Sequence, residues 1–110
     1  MQSLTSSQQF DAFVEQHPAV LIYFSSSGCG VCNALKPRVR AMVEEEFPEL
    51  MLAEVDCEAS PELAAQHGVF TVPTVTVWFE QHETTRKSRA FSIGELQMEM
   101  ERPYALMFEV

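Results

Sequence analysis

Two cysteines, Cys29 and Cys32, are the residues whose types and spacing most directly imply chemistry. They closely follow an apolar run over 19–24 and open a segment with helical character, so a buried strand is expected to lead into them. Thiols at this spacing can close a small disulfide, and the unpaired N–H groups at a helix start favour a thiolate at Cys29. A CxxC pair within a βαβ pattern is typical of thiol–disulfide redox chemistry.

The same pair could form half of a zinc site, which requires two further ligands. The residues that could supply them are Cys57 and three scattered histidines: His17, His67 and His82. We therefore expect no metal. Cys57 follows a strand and is expected to be a small buried or half-buried thiol rather than a third catalytic group.

Length, composition and charge limit the number of domains and the classes of partner that this chain can have. A chain of 110 residues with 46% hydrophobic content is expected to form a single domain, 1–110, around one core. The net charge of −9 argues against nucleic acid and anionic membrane as partners, because phosphate groups would be repelled. No apolar run approaches the roughly 20 residues of a membrane-spanning helix.

The cysteine count and the N-terminal residues predict a cytoplasmic protein. Residues 1–8 have neither the basic nor the apolar region of a secretory signal. Three cysteines are an odd number, which argues against a secreted scaffold held together by disulfides. A cytoplasmic protein with a working CxxC motif is the simpler interpretation.

Apolar periodicity and turn residues predict the element order α-β-α-β-α-β-β-α, a mixed sheet with helices on both faces. The predicted helices cover 5–16, 30–46, 60–67 and a last segment from 92 to about 103. The predicted strands cover 19–25, 50–56, 74–80 and 84–91. The strand over 19–25 is apolar on both faces, as expected of a central strand. Pro37 is expected to kink the second helix, and Pro103 to interrupt or end the last one.

Three helix starts carry capping sequences: Thr5 with Gln8, Ser60 followed by Pro61 and Glu62, and Ser92 with Glu95. His67 followed by Gly68 predicts a helix end. The apolar tail over 104–108 allows two interpretations, since it can cover the core or form an exposed patch for a partner.

Three parts of the chain together resemble the thioredoxin family. The segment Tyr23-Phe-Ser-Ser-Ser-Gly-Cys29-Gly-Val-Cys32-Asn-Ala-Leu-Lys-Pro37 is similar to the family's strand, CxxC motif and kinked helix. Ala53-Glu-Val-Asp56 resembles the following strand, and Gly68-Val-Phe-Thr-Val-Pro73-Thr74 resembles the loop with the family's cis-proline. The resemblance covers about 20–96 and implies a thioredoxin-like three-layer α/β/α sandwich with a mixed central sheet.

The resemblance implies a thiol–disulfide oxidoreductase that reduces protein disulfides without a cofactor. Cys29 would be the exposed nucleophile and Cys32 the resolving thiol. Pro73 in cis would place the Val72 backbone beside Cys29, where it can pair with an extended substrate. The residues expected to contact substrate are Gly28, Gly30, Val31 and Val72. The implied partners are protein disulfides, with a thioredoxin reductase as a candidate electron donor, and the protein is expected to be a monomer.

Five positions depart from the family pattern. Gly28 stands where the family usually has tryptophan, and Val31 replaces the proline between the cysteines. Tyr23 occupies the position of the family's buried aspartate, and Glu54 that of the lysine often paired with it. Arg89 falls where a glycine normally lines the substrate groove. The chain is therefore expected to be a divergent relative rather than the housekeeping thioredoxin of its cell.

The missing aspartate leaves Cys32 without the family's usual proton acceptor. A phenol with an ordinary pKa of about 10 is a poor base near neutral pH. Glu54 on the adjacent strand is therefore a candidate catalytic residue, with Tyr23 hydrogen-bonded to it or to a bridging water. The alternative is that Glu54 is a solvated residue at the sheet edge.

Two functions remain open on the sequence. Retention of both cysteines favours the oxidoreductase. The lost tryptophan, aspartate and glycine positions favour a weakly active or redox-inactive binding module that holds a protein partner in the groove beside Val72 and Pro73. The reduction potential and the turnover of a protein disulfide discriminate between the two.

Overall fold

A mixed sheet of five strands runs through the computed structural model, which describes residues 1–109. The strands are β1 (Gln2–Ser3), β2 (Ala19–Ser25), β3 (Met51–Asp56), β4 (Thr74–Phe79) and β5 (His82–Ser88), in the spatial order β1-β3-β2-β4-β5. The helices are α1 (Ser7–Gln16), α2 (Gly30–Glu46), α3 (Pro61–Gln66) and α4 (Ile93–Phe108). β2 pairs parallel with β3 and antiparallel with β4, which pairs antiparallel with β5.

Two apolar cores lie on the two faces of the sheet, because β2 is buried on both sides. Residues 19–24 are all fully buried and alternate between the faces. The core shared with α2 and α4 takes Ala19, Leu21 and Tyr23. The core shared with α1 and α3 takes Val20, Ile22 and Phe24. This arrangement confirms the predicted three-layer α/β/α sandwich.

The starts of the two short helices differ from the predicted caps. Ser6, not Thr5, is the N-cap of α1, and its hydroxyl accepts a hydrogen bond from the Gln9 N–H at 3.1 Å. The Gln9 side chain in turn accepts from the N–H of Thr5, one residue before the N-cap, at 2.8 Å, so Gln9 rather than the predicted Gln8 closes the helix start. Ser60 precedes α3, but its hydroxyl donates to the Thr5 carbonyl at 3.5 Å instead of capping the helix.

α4 continues through Pro103 for another turn, so this proline does not end the helix. Ser92 caps its start as predicted, accepting a hydrogen bond from the Glu95 N–H at 3.0 Å. Proline cannot donate to the carbonyl four residues earlier, but packing holds the next turn in place. Tyr104 is buried against Phe47, with ring centroids 5.0 Å apart, so the tail covers the core. None of the helices within 1–109 is long and apolar enough to cross a membrane.

Two features of the sheet lie outside the sequence prediction. β1 is an additional strand of two exposed residues, and it pairs parallel with β3 at Ala53 and Glu54. The β4–β5 hairpin turns at Glu80 and Gln81, which adopt positive φ angles of 49° and 68°. This tight turn starts β5 at His82, two residues earlier than the pattern predicts.

Candidate active site

Three loops meet at one end of the sheet, where β2 ends and β4 begins. Because β2 and β4 are antiparallel, Phe24 near the end of one pairs with Thr74 at the start of the other. Thr74 also pairs with Ser88 at the end of β5. The register therefore brings the loops over 26–29, 71–73 and 89–91 to the same end. A hydrogen bond from the Arg89 N–H to the Pro73 carbonyl, at 2.8 Å, joins the second and third loops.

The two cysteines of the motif form a disulfide at the start of α2, with their Cα atoms 5.2 Å apart. Cys29 is the N-cap residue of the helix and is half-buried, whereas Cys32 is fully buried one turn inside. The Cys32 N–H donates a hydrogen bond to Cys29 Sγ at 3.1 Å. In the reduced protein the same N–H and the positive end of the helix dipole stabilise a thiolate at Cys29. The geometry therefore distinguishes an accessible sulfur from a protected one.

The surface around the disulfide is open and partly apolar. Gly28 and Gly30 are exposed, and a Cβ atom at either position would meet no atom within 4 Å. The Val31 side chain is 65% exposed. On the opposing loop, the Val72–Pro73 peptide bond is cis, with Pro73 buried and Val72 half-buried. Of the two residues between the cysteines, only Val31 carries a side chain that an approaching peptide would meet.

A shallow groove begins beside these loops, as expected next to Val72, but its course along α3 lies outside the sequence prediction. It has a volume of about 320 Å³ and runs past Ser26, Cys57, Phe70 and Val72 towards the first residues of α3. Phe70 is 81% exposed, which is unusual for a large aromatic side chain. The signal that could have indicated it is an aromatic residue within the loop between Gly68 and Pro73. The groove extends the apolar surface away from the disulfide on the β3 side.

Tyr23 lies beneath the first turn of α2 and is fully buried. Its hydroxyl donates a hydrogen bond to the Cys32 carbonyl oxygen at 2.7 Å. The prediction that Tyr23 hydrogen-bonds to Glu54 or to a bridging water is therefore wrong, because its one O–H proton is donated to the Cys32 carbonyl. Burial, and then the negative charge of Glu54, raise the pKa of Tyr23 to about 12. The phenol remains protonated at neutral pH and cannot accept the Cys32 proton.

Glu54 pairs with Tyr23 in the β2–β3 register and forms an ion pair with Lys36 on α2. Both side chains of the ion pair are partly buried. Lys36 follows Cys32 by one helical turn, so the carboxylate lies below the same face of α2 that holds Cys32. Cys32, Tyr23 and Glu54 therefore lie close together between β2, β3 and α2. The Glu54 carboxylate pairs with Lys36 rather than with the Tyr23 hydroxyl.

Cys57 is a half-buried free thiol immediately after β3. Its N–H donates to the Ser25 carbonyl at 2.8 Å, which fixes it beside the end of β2. Burial, and then the neighbouring Asp56 carboxylate, raise the pKa of the Cys57 thiol. Cys57 is therefore a much weaker nucleophile at neutral pH than a thiolate at a helix start.

We expect Tyr23 to make the protein less stable at high pH. Its pKa is about 12 in the folded protein and about 10 in an unfolded chain, so the unfolded chain ionises first as the pH rises. The free energy of unfolding should then fall by about 2 kcal/mol between about pH 10 and about pH 12. Tyr23→Phe has no proton to lose and should show a correspondingly smaller fall, measured by urea unfolding across this range. Equal slopes for the two proteins would contradict this assignment.

A mixed sheet between helices, with a disulfide at the first turn of the helix after its central strand, defines a thiol–disulfide oxidoreductase of the thioredoxin-like class. The thioredoxin family model matches residues 2–102. The chain belongs to the thioredoxin family.

Relatives and solved structures are consistent with this placement. The thioredoxin-like protein YdfQ of Bacillus subtilis is 32% identical over 106 residues, which cover 96% of this chain and 94% of that protein. Putative thioredoxin 2 of Streptomyces coelicolor is 38% identical over 74 residues, covering 67% of this chain and 54% of that protein. The structure of Fasciola hepatica thioredoxin superposes with a TM-score of 0.83 at 26% identity, covering 93% of this chain and 98% of that one.

Proposed function

We propose that this protein reduces disulfides of other proteins, with Cys29 as the nucleophile and Cys32 as the resolving thiol. The observation that carries the proposal is the difference between the two sulfurs. Cys29 is half-buried at the helix start and accepts the Cys32 N–H, whereas Cys32 is fully buried. A substrate sulfur can therefore approach Cys29 but not Cys32.

The exchange proceeds in two displacements. The Cys29 thiolate attacks one sulfur of the substrate disulfide, forms a mixed disulfide and releases the other sulfur, which takes up a proton. Cys32 gives up its proton and attacks Cys29 Sγ, which closes the protein disulfide and releases the second substrate thiol. Two electrons pass from the two protein sulfurs to the substrate. Of the two protons that the substrate thiols take up, one comes from solvent and the other balances the proton that Cys32 gives up. An external dithiol reductant, for which we propose a thioredoxin reductase, restores the reduced protein.

In this proposal the loops around the disulfide hold the substrate as an added strand. The Val72 backbone pairs with the substrate chain, and the buried cis-Pro73 fixes the orientation of that backbone. The substrate also contacts the exposed surface formed by Gly28, Gly30 and Val31. The absence of side chains at the two glycines leaves room for a folded partner.

We further propose that Glu54 accepts the Cys32 proton, and that the protein works as a cytoplasmic monomer of one domain. Support for Glu54 comes from its position below α2 and from its charge, which contributes to the raised pKa of Tyr23 beside Cys32. The odd number of cysteines supports a reducing compartment.

Mixing the reduced protein with a test protein disulfide discriminates between exchange and mere binding. We expect two protein thiols to disappear for each substrate disulfide cleaved, with Cys29→Ser inactive and Cys57→Ser unchanged. Quantitative thiol labelling and mass spectrometry measure both sides of the reaction. Binding of the partner without loss of protein thiols would contradict the proposal and would favour the binding module.

A further inference from the structure

Arg89 holds an unusual backbone conformation beside the substrate loops. Its φ angle is 63°, in the left-handed region that glycine adopts freely and that a residue with a Cβ atom adopts at a cost. Its N–H donates to the Pro73 carbonyl at 2.8 Å, and its side chain is exposed. Backbone strain of this kind is frequent at functional sites, and here it lies next to the loop that carries Val72 and Pro73.

Arg89 is one of three basic residues that form no ion pair within residues 1–109, together with Arg38 and Arg102. The chain has a net charge of −9 and only seven Lys and Arg residues. Four of them are held in ion pairs with carboxylates: Lys36, Arg40, Arg86 and Lys87. Arg89 forms no ion pair within residues 1–109, so its guanidinium group is available to a partner.

The charges around the disulfide are divided between two sides. Asp56 ends β3, and Glu58 lies just beyond it, accepting a hydrogen bond from the Ser27 hydroxyl at 3.3 Å. Arg89 follows β5, which lies on the other side of β2 in the strand order. A peptide laid across the Val72 backbone would therefore meet carboxylates at one end and a guanidinium group at the other.

We propose that Arg89 directs this oxidoreductase to protein disulfides whose cysteine has Asp or Glu beside it. This inference rests on the proposed function and names its substrate class. The protein's negative charge would otherwise repel an acidic segment, and Arg89 supplies a local attraction next to the loop that binds the substrate backbone. Arg89 takes no part in bond making; the electrons and protons move between the sulfurs as described above.

The test uses symmetrical disulfides of one short peptide with Glu, Gln or Lys at one position beside the cysteine and Gln at the other. Each charged residue is placed once before and once after the cysteine, because Arg89 and the carboxylates lie at opposite ends of the bound peptide. The second-order rate constant for oxidation of the reduced protein is measured by acid quench and mass spectrometry. Each value is divided by the rate of the same peptide with dithiothreitol, which removes differences in the reactivity of the peptide itself. The wild-type protein should prefer Glu over Gln by roughly threefold to fivefold at the position that faces Arg89, and should show no such preference at the position that faces Asp56 and Glu58.

Three variants assign this preference to Arg89. Arg89→Gly should abolish the preference, Arg89→Lys should keep most of it, and Arg89→Glu should reverse it in favour of the Lys peptide. The matched control is Arg102→Glu, which changes the net charge equally. Arg102 is exposed beside Pro103, which lies near Phe79 at the opposite end of β4.

The outcomes separate this inference from the proposed function. An unchanged preference in Arg89→Glu, or an equal loss in Arg102→Glu, would overturn the assignment while oxidation by the Gln peptide still supports disulfide reduction. A preference that persists at about 0.5 M salt would also show that it does not arise from an exposed charge pair, which salt screens. Failure of wild-type protein to react with any of these peptides would overturn both proposals.

Discussion

Cys32→Ser should accumulate a covalent complex between Cys29 and its substrate. The first displacement needs only the Cys29 thiolate, so the mixed disulfide still forms. The second displacement then depends on an external thiol, which lacks the proximity of a residue one helical turn away. Turnover of a protein disulfide should fall on the order of 1000-fold or more. Non-reducing electrophoresis and mass spectrometry of the quenched reaction measure the complex.

The matched variants test which sulfur acts first. Cys32→Ala should give the same complex. Its apolar side chain avoids placing a serine hydroxyl in the fully buried site, so an effect of the lost thiol can be told from an effect of a buried hydroxyl. Cys29→Ser should form no complex, since Cys32 is inaccessible and Cys57 has a raised pKa. A complex through Cys32 in the Cys29→Ser protein would reverse the proposed roles.

Strong local signals made much of the fold predictable. β2 was predicted with its observed bounds because residues 19–24 are apolar on both faces, which is the pattern of a central strand. α2 was also predicted with its observed bounds, since the CxxC motif opens it and Pro48 follows its end. The positions of Cys29 and Cys32 follow from these two elements alone.

Tertiary contacts decided what the sequence could not predict. The Glu80–Gln81 turn has no glycine or asparagine to signal its positive φ angles; pairing of β4 with β5 imposes them. The helix persists past Pro103 because Tyr104 packs on the core. At the site, the Tyr23 hydroxyl was expected to bond to Glu54 or to a bridging water. Instead it bonds to the Cys32 carbonyl, and the Glu54 carboxylate pairs with Lys36, both on α2. A strand pattern does not show which helix residue lies above a given strand side chain.

Glu54→Gln should slow the resolution of a Cys29 mixed disulfide by about 100-fold near neutral pH. The carboxylate lies below α2 in an ion pair with Lys36, and Tyr23 remains protonated, so Glu54 is the group proposed to take the Cys32 proton. Formation of the mixed disulfide precedes this proton transfer and should be nearly unchanged. Rapid acid quench followed by mass spectrometry separates the two steps.

The pH dependence and a second variant distinguish a proton acceptor from a merely structural ion pair. Once the pH exceeds the pKa of the Cys32 thiol, that thiol ionises without a neighbouring base, so the two resolution rates should converge at alkaline pH. Lys36→Met breaks the same ion pair but keeps the carboxylate, and it should leave resolution at neutral pH near the wild-type rate. Equal slowing by Glu54→Gln and Lys36→Met would assign the effect to the ion pair. Identical rates for Glu54→Gln and wild type from about pH 6 to about pH 9 would remove Glu54 from the mechanism.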